Sequence, residues 1–395
     1  MLVVLLLLHW SLLTAPTHAD GSVSAVRALP TGTTGKWVAD RKTLAFYSDD
    51  DAKPTRTEFV GMVPLPPPPP RNGTESLLVS ASAQDLQGKG HYRVVNIAGS
   101  AVIMMSRNAY KMGRVTAYLN RERQNFAQLA DAVESMRLVR GHAEVVDVGA
   151  NHGLFTLLAA AKGANVSAIE PQAELATLVA AAVVVNGFDE YVRVFHNAVL
   201  DVETSVQIPE LAAYDARSEG GTAALGDRSR KVPMTIVRTV PVSLVTELRP
   251  LAFLKIDVEG VELAVLRSAF PALAEKLVSK AIIEFGPAER WAKLSSNGIG
   301  AGTVTAAQEV LAQIRTFGYL AYFRVGGRQD SSVCRHFTCD KRRNSDGSSE
   351  KVAYLNTDDE VKFLIASLRS PVDLVLVLNT SLLVGGGAPR VHQRC

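Results

Sequence analysis

The stretch VVDVGANHGLFTLLAAAKGANVSAIEPQ, residues 145–172, contains two short apolar runs that each end at an acidic residue. The first run predicts a buried strand, the run NVSAIE predicts a second strand, and LFTLLAAAKG between them predicts a helix that ends at a glycine cap. A strand, a tight turn, a helix and a second strand make up a βαβ unit, in which the two strands are parallel. This unit predicts the centre of a parallel sheet.

The chain after this unit continues to alternate helices with strands. AELATLVAAAVVVNG and VELAVLRSAFPALAEKL predict helices, whereas LAFLKID, KAIIEFG, YLAYFRV and VDLVLVLN predict strands that are apolar along most of their length. Such strands are typical of a sheet that is covered by helices on both faces. We therefore predict an α/β fold with a doubly wound, mostly parallel sheet.

The chain divides into three parts by composition. Residues 1–19 carry an apolar run followed by small residues, which predicts a signal peptide or a short anchor. Residues 20–90 contain PLPPPPPRNG and no sustained periodicity, which predicts a disordered, low-complexity, Pro-rich linker. Residues 91–395 are predicted to form one domain, with a core at 143–325 and a last helix and strand at 357–379.

The leader predicts that the protein enters the secretory lumen or is secreted. No Lys or Arg precedes its apolar run, so a membrane anchor and an organelle-targeting leader remain alternatives. Sequons at Asn72, Asn165 and Asn379 are compatible with a glycoprotein of that compartment. Cys334 and Cys339 are close enough in sequence to close a disulfide loop in an oxidising compartment, with free thiols as the alternative.

The charge balance excludes one class of partner. The formal net charge is +3 over 395 residues, so the sequence shows no basic excess of the kind that nucleic-acid-binding domains carry. Membrane association is expected only through the leader.

The turn DVGANHG joins the first predicted strand to its helix. Gly149 and Gly153 allow the backbone to turn tightly and to approach a ligand closely. Asp147 ends the strand, and Glu170 ends the next strand about 20 residues later, where an acid can hold ribose hydroxyls. A glycine turn followed by such an acid is typical of adenosine binding in doubly wound folds.

The composition of this turn discriminates between two adenosine-containing ligands. A dinucleotide site requires three glycines, whereas Asn151 replaces the middle one here. Asp147 next to the turn would also repel a pyrophosphate, but it suits a ligand with an ammonium group and a sulfonium group. The turn therefore favours S-adenosylmethionine, and a nicotinamide-dependent oxidoreductase is the less favoured alternative.

A second polar corner follows the strand LAFLKID. In FLKIDVEGVELAVL, the residues Asp257, Glu259 and Glu262 follow an apolar run, where carboxylates are costly unless they are used or satisfied. Asp257 and Glu259 are predicted to be catalytic, because a carboxylate with a raised pKa can take a proton from an acceptor hydroxyl. Two of these carboxylates could instead hold a divalent cation. Alternatively, these residues have only structural roles: Glu259 and Glu262 complement the dipole of the helix that follows, and Lys255 pairs with one of them.

These two corners together resemble a known family. VVDVGANHGLFTLLAAAKGANVSAIEPQ resembles the first motif of class I S-adenosylmethionine-dependent methyltransferases. FLKIDVEGVELAVLRSA, followed by AIIEFG, resembles the signature of their FkbM-type branch. The resemblance covers residues 143–325 and departs from the family where Val245 replaces an acid.

The resemblance implies a seven-stranded sheet with an antiparallel last strand, S-adenosylmethionine as methyl donor and O-methylation of a sugar, glycan or small metabolite. It places Asp147, Gly149, Asn151, Gly153 and Glu170 at the donor. It also places Asn197, in FHNAV, near the adenine, and it assigns Asp257, Glu259 and Glu262 to the second signature. A relative that binds the donor without catalysis is the alternative.

Overall fold

The structure is a computed structural model. It describes residues 34–39, 43–48, 57–60, 91–106, 109–209, 233–295, 303–325, 335–343, 349–368 and 370–379. The predicted leader, the proline run, Asn72 and Cys334 lie outside the described residues.

A five-stranded antiparallel sheet comes first along the chain. Its strands are β1 (Thr34–Ala39), β2 (Thr43–Ser48), β3 (Thr57–Val60), β4 (His91–Ile97) and β5 (Ser100–Ser106). Their order in the sheet is β3-β2-β1-β4-β5. The first three strands depart from the disordered linker predicted for residues 20–90, because short runs of aromatic and β-branched residues favour strands even beside proline-rich sequence. Since β1 pairs with β4, the boundary predicted at residue 90 falls between strands of one sheet.

Ten helices are described in the rest of the structure. They are α1 (Ala109–Arg121), α2 (Arg123–Arg140), α3 (Leu154–Ala161), α4 (Ala173–Val185), α5 (Val242–Thr246), α6 (Glu262–Ser268), α7 (Phe270–Ala274), α8 (Ala288–Ser295), α9 (Val304–Thr316) and α10 (Asp358–Ser367). None of the helices in this part of the chain is both long enough and apolar enough to cross a membrane.

Twelve strands alternate with these helices and form two further sheets. They are β6 (Glu144–Val148), β7 (Asn165–Ile169), β8 (Val192–Phe195), β9 (Ala198–Val199), β10 (Ser205–Pro209), β11 (Met234–Val240), β12 (Phe253–Ile256), β13 (Lys280–Phe285), β14 (Tyr319–Arg324), β15 (Thr338–Arg343), β16 (Ser349–Tyr354) and β17 (Val372–Leu378). The main sheet has the order β15-β16-β14-β17-β13-β12-β6-β7-β8, and the small one has the order β10-β11-β9.

The main sheet confirms the predicted doubly wound α/β class. Strands β8, β7, β6, β12 and β13 are parallel, and β17 runs antiparallel between β13 and β14. The sheet has nine strands rather than seven, because the hairpin β15–β16 pairs with the edge strand β14. This hairpin lies in a polar segment. Val352 and Ala353 of β16 are buried in the two opposite cores, but this apolar run is too short, beside its charged neighbours, to have revealed a strand.

The two faces of the sheet are covered by different helices. Val145 of β6 packs into a core with residues of α2, α3 and α4, whereas its neighbour Val146 packs into a core with residues of α6, α9 and α10. Successive side chains of a strand point to opposite faces, so a continuous apolar strand supplies both cores. This arrangement leaves the carboxyl ends of the parallel strands as the place where polar residues can gather.

Candidate active site

The glycine turn lies where the strand order of the main sheet reverses. Strand β6 stands between β7 and β12, and the turn after it occupies the carboxyl edge where open α/β sheets bind ligands. Gly149 has φ 77°, and a Cβ added to it would lie 1.8 Å from the backbone oxygen of Asp257. Gly153 has φ 76° at the start of α3. The turn after β6 and the turn after β12 therefore touch through a position that only glycine can occupy.

Glu170, at the end of β7, holds the middle of this turn. It accepts hydrogen bonds from the backbone N–H groups of Asn151 (2.8 Å) and Gln172 (2.9 Å). Asn151 itself has a left-handed backbone, with φ 53°, and its side-chain oxygen lies 2.6 Å from Nδ1 of His152. Burial raises the pKa of Glu170 to about 7, against the lowering effect of these two hydrogen bonds. Glu170, which is predicted to bind the ribose, and Asn151, which is predicted to bind the methyl donor, are thus in direct contact.

Asp147 and Lys255 form a buried ion pair beneath the turn. Asp147 is fully buried and accepts hydrogen bonds from the backbone N–H (3.1 Å) and the hydroxyl (2.7 Å) of Thr156. Lys255 Nζ lies 3.3 Å from Asp147 and 3.8 Å from Asp257, and it donates to the carbonyl oxygen of Gly149. The predicted pairing of Lys255 with Glu259 or Glu262 is wrong, because the side chain extends back toward β6. Asp147 therefore forms an ion pair with Lys255 and accepts hydrogen bonds from the first turn of α3.

The pKa of Lys255 reflects this setting. Burial alone would lower it, but the carboxylates of Asp147 and Asp257 outweigh burial and raise it above the usual value. The ammonium group is therefore charged at neutral pH, and it links both ends of the site electrostatically.

Asn197 lies on the other side of the turn, after β8. Its side chain is fully buried and donates to the backbone oxygen of Arg238 (3.1 Å), while its Oδ1 has no hydrogen-bond partner in the described part of the structure. It borders a cavity of about 340 Å³ that is further lined by Glu203, Thr204, Ser205, Arg238, Thr239 and Val240. A buried acceptor without a partner is costly, so a ligand N–H would be bound favourably there.

Three carboxylates gather at the ends of β12 and β13. Oxygen atoms of Asp257, Glu259 and Glu284 all lie within 4.8 Å of one another. Glu259 is not in the first turn of α6 as predicted, but in the preceding turn with a left-handed backbone at φ 55°. Glu262 starts α6, is fully buried, and accepts hydrogen bonds from the Gly260 N–H (2.7 Å) and the Trp291 indole (2.9 Å). Glu262 therefore stabilises this turn through its hydrogen bonds, whereas the carboxylate of Glu259 lies beside those of Asp257 and Glu284.

Arg290 of α8 is the cation of this cluster, and the sequence reading missed it. Its guanidinium lies 2.8 Å from Glu259, 2.8 Å from Glu284 and 3.1 Å from Glu262. All three partners are distant in sequence or belong to other elements, so no local spacing reveals the contact. The only available signal was an arginine in the first turn of the helix after AIIEFG.

Burial dominates the proton affinities in the cluster. It raises the pKa of Glu259 to about 8 and that of Glu284 to about 7, although Arg290 opposes both shifts. Burial also raises the pKa of Glu262, again against Arg290. Carboxyl groups that titrate near neutral pH are suited to accept a proton during catalysis.

The corner between α1 and α2 borders the cluster and was also missed. Asn125 donates to Glu122 (2.7 Å) and to Asp373 (3.1 Å). Asp373 lies directly opposite Glu284 in the β13–β17 ladder, so the two side chains share one face of the sheet. The pKa of Tyr118 is raised well above its usual range, first by burial and then by the negative charge of Glu122. This corner provides polar groups beside the carboxylates.

A family match covers both corners of the site. The sequence profile of the Methyltransferase FkbM domain matches residues 147–320, somewhat less than half of the chain. This region thus has the sequence pattern of an FkbM methyltransferase domain. The match begins at Asp147 and includes the glycine turn and the carboxylate cluster, which confirms the resemblance drawn from these motifs. The match to the FkbM methyltransferase domain supports S-adenosylmethionine as the methyl donor.

Solved structures similar to this chain are also methyltransferases by their descriptions. The bifunctional kinase-methyltransferase WbdD is 13% identical, with 65% of this chain and 40% of that chain covered and a TM-score of 0.32. The O-methyltransferase from Bacillus cereus in complex with SAH is 13% identical (64% and 80% covered, TM-score 0.25). Geranyl diphosphate methyltransferase in complex with SAM is 14% identical (68% and 90% covered, TM-score 0.31). The chain spans about 40% of the length of WbdD, and no curated protein matches it significantly.

Proposed function

We propose that the FkbM domain transfers a methyl group from S-adenosylmethionine to a hydroxyl group of a sugar, a glycan or another small metabolite. The observation that carries this proposal is the position of Glu259. Its carboxyl group has a pKa raised to about 8 and lies within 4.8 Å of the carboxyl group of Asp257, whose backbone lies against Gly149 of the glycine turn. A hydroxyl is a poor nucleophile at neutral pH, so its methylation requires such a base.

The residues around the glycine turn fit the donor. Glu170 offers its remaining lone pairs to ribose hydroxyls, and the unpartnered Oδ1 of Asn197 can accept from an adenine amino group. Gly149 keeps the two turns in contact. When bound, the donor supplies an electrophilic methyl group, which bonds to the acceptor oxygen as the carbon–sulfur bond breaks and S-adenosylhomocysteine forms.

The carboxylates of Glu259 and Asp257 have different roles in the proposed reaction. Glu259 takes the proton of the acceptor hydroxyl, so that negative charge on the oxygen is available as the new bond forms. Asp257 is held by Lys255 at 3.8 Å and stays close to the donor side of the site. Its charge favours a cationic sulfonium nearby. The two residues thus orient the reacting groups and handle the proton without changing their own covalent structure.

The surrounding polar side chains support a hydroxylated acceptor. The cluster residue Glu284 is partly accessible, and so are its neighbours Asp373 and Glu122. Asn125 links Asp373 to Glu122 by donating a hydrogen bond to each. Carboxylate and amide groups at this density accept and donate hydrogen bonds to several neighbouring hydroxyls. We propose a sugar or glycan on this ground, and not a nucleic acid.

A divalent cation fits this cluster poorly. Asp257, Glu259 and Glu284 have the oxygen ligands that Mg²⁺ or Ca²⁺ would take. However, the guanidinium of Arg290 already forms ion pairs of 2.8 Å with Glu259 and with Glu284, so two of the three carboxylates already have a positive partner. The proposed reaction therefore uses no metal.

We further propose that the protein works in the secretory lumen or outside the cell. Cys339 is disulfide-bonded, and its partner cysteine lies outside the described residues. Disulfides persist mainly in oxidising compartments, which agrees with the predicted leader. Of the sequons, Asn165 starts β7 and donates to Glu144 (2.9 Å), so this position is a poor acceptor for a glycan.

The first test is calorimetric titration of the full chain with S-adenosylmethionine, S-adenosylhomocysteine and NADH. We expect both sulfur ligands to bind and NADH not to bind. Transfer of a labelled methyl group to a panel of sugars, glycans and hydroxylated metabolites then identifies the acceptor, and we expect it to persist in EDTA. Binding of NADH alone would overturn the proposal, and donor binding without transfer to any acceptor would favour a non-catalytic relative.

Replacing Glu259 by glutamine is expected to lower kcat by about 10²- to 10⁴-fold, the usual contribution of a general base, with little effect on donor binding. The wild-type rate is expected to rise with pH through about 8, where Glu259 loses its proton, and the variant is expected to lack this rise. Glu309→Gln, on the exposed side of α9, is the matched control and should retain activity. An active Glu259→Gln variant with an unchanged pH profile would remove Glu259 from the mechanism.

A further inference from the structure

Arg290 contacts three carboxylates of the site but has no part in the proton transfer itself. One terminal nitrogen lies 2.8 Å from Glu284, and the other lies 2.8 Å from Glu259 and 3.1 Å from Glu262. The guanidinium is largely buried, at 15% side-chain exposure, and a planar fork of this kind can hold two carboxylates in fixed relative positions.

The protein around Arg290 keeps the guanidinium in this place. The next residue, Trp291, is fully buried, packs edge-to-face on Phe285 at 4.8 Å, and donates to Glu262. A Cβ added to Gly286 would lie 2.8 Å from Cδ of Arg290, so the arginine stem passes closely over this glycine. The helix α8 is thereby anchored, and the arginine has little room to move away from the carboxylates.

We propose that Arg290 is a positioning residue that holds Glu259 and Glu284 in fixed positions beside the acceptor site and determines the pH at which Glu259 can take its proton. This inference rests on the proposed function, because it assigns Arg290 a role in that same reaction. Arg290 would act through the two glutamates and would not touch the reacting atoms.

The electrostatic setting of Glu259 supports this role. Four charged groups face it: Asp257 from the end of β12, Glu262 from α6, Glu284 from β13 and Arg290 from α8. Three of these are acidic and disfavour a second negative charge, whereas Arg290 alone among them favours it. Loss of Arg290 should therefore make Glu259 ionise at a still higher pH.

The sign of the effect on stability follows from proton linkage. The pKa of Glu259 is raised from 4.5 to about 8 on folding, so the folded state binds the proton more tightly than the unfolded state. Stability from this group is present at low pH and is lost as the pH rises toward about 8. Without Arg290, this loss should continue to a higher pH, with a shift of about one unit or more, since an opposite charge in contact shifts a carboxyl pKa by about 1–3 units.

The test that needs no acceptor is thermal unfolding of the full chain between pH 5 and pH 10. We expect the difference in melting temperature between wild type and Arg290→Gln to widen as the pH rises, and to widen less in a Glu259→Gln background. Arg315→Gln is the control: Arg315 forms a surface ion pair with Asp358 at 2.9 Å, near the opposite edge of the sheet. The control should lose little at any pH. A difference that is the same at every pH would mean that Arg290 only packs, which would overturn the proposal.

The test in the reaction is the pH dependence of kcat/KM with the acceptor found above. Arg290→Gln is expected to raise, by about one unit, the pH at which kcat/KM increases. Arg290→Lys should shift it less, because lysine keeps the charge without the fork. Gly286→Ala keeps the arginine but displaces it, and it should shift the profile in the same direction. If none of the three shifts the profile while all lower the rate, the positioning role is wrong.

The two tests separate this inference from the proposed function. If wild type transfers no methyl group but the melting difference widens with pH, the proposed function fails and the electrostatic control of Glu259 by Arg290 stands. If methyl transfer is found and neither the melting difference nor the rate profile depends on Arg290, the proposed function stands and this inference fails.

Discussion

Replacing Gly149 by alanine is expected to abolish binding of S-adenosylmethionine and to destabilise the domain strongly. The new Cβ would lie 1.8 Å from the backbone oxygen of Asp257, which no side-chain rotation can relieve. The left-handed backbone of Gly149, at φ 77°, adds about 1–3 kcal/mol when a side chain is present. The turns after β6 and β12 must then separate, and the donor site lies between them. Urea unfolding and calorimetric titration with the donor measure the two effects.

Gly99→Ala is the matched control for this prediction. Gly99 has φ 81° in the hairpin between β4 and β5, and a Cβ added there meets no atom within 4 Å. The control therefore has the same backbone penalty without the collision. If Gly149→Ala loses no more stability than Gly99→Ala and still binds the donor, the contact between the two turns does not shape the site.

Replacing Lys255 by methionine is expected to cost about 3–5 kcal/mol of unfolding free energy, the usual result of breaking a buried ion pair from one side. Lys255 is the cation that lies against both Asp147, which is fully buried, and Asp257. Methionine matches its length but leaves these carboxylates without a counter-charge. The loss should persist at neutral pH and shrink only at strongly alkaline pH, because the carboxylates raise the pKa of Lys255 and its charge is lost only there. Urea unfolding at several pH values measures it.

Lys162→Met is the control for the lysine prediction. Lys162 pairs with Glu134 at 3.0 Å, but the side chain of Glu134 is about half exposed, so this pair should contribute less than about 1 kcal/mol. A loss in Lys255→Met that is no larger than in Lys162→Met would show that water reaches the pair. Donor binding should fall only in Lys255→Met, since the carbonyl of Gly149 also depends on Lys255.

Much of the fold could be predicted because burial patterns are local. The apolar runs of β6, β7, β12, β13 and β17 fill two cores at once, and strands of that kind need no information from distant residues to be recognised. The hairpin β15–β16 escaped prediction because charged residues dominate its two strands and leave only a short apolar run in β16. Helices α1 and α2 follow each other with a corner at Glu122. Charged residues there carry no periodicity that would locate the corner.

The candidate site was predictable in part for a related reason. Gly149, Asn151, Gly153 and Glu170 fall on turns and strand ends that sequence spacing can locate, and the structure brings them together. Asp257 was placed correctly at the end of its strand, next to the turn. Their roles toward the donor and acceptor remain predictions, which the titration and the Glu259→Gln variant test.

The sequence by itself determined the alternation of helices with the central strands of the main sheet, the glycine turn and the ends of β7 and β12, because periodicity and turn chemistry act within a few residues. Only the tertiary structure decided which charges meet. Lys255 turns to Asp147 and Asp257, while Arg290 closes on three carboxylates from another helix. The physical reason is that electrostatic energy depends on distance and burial in three dimensions, and residues far apart in sequence set both.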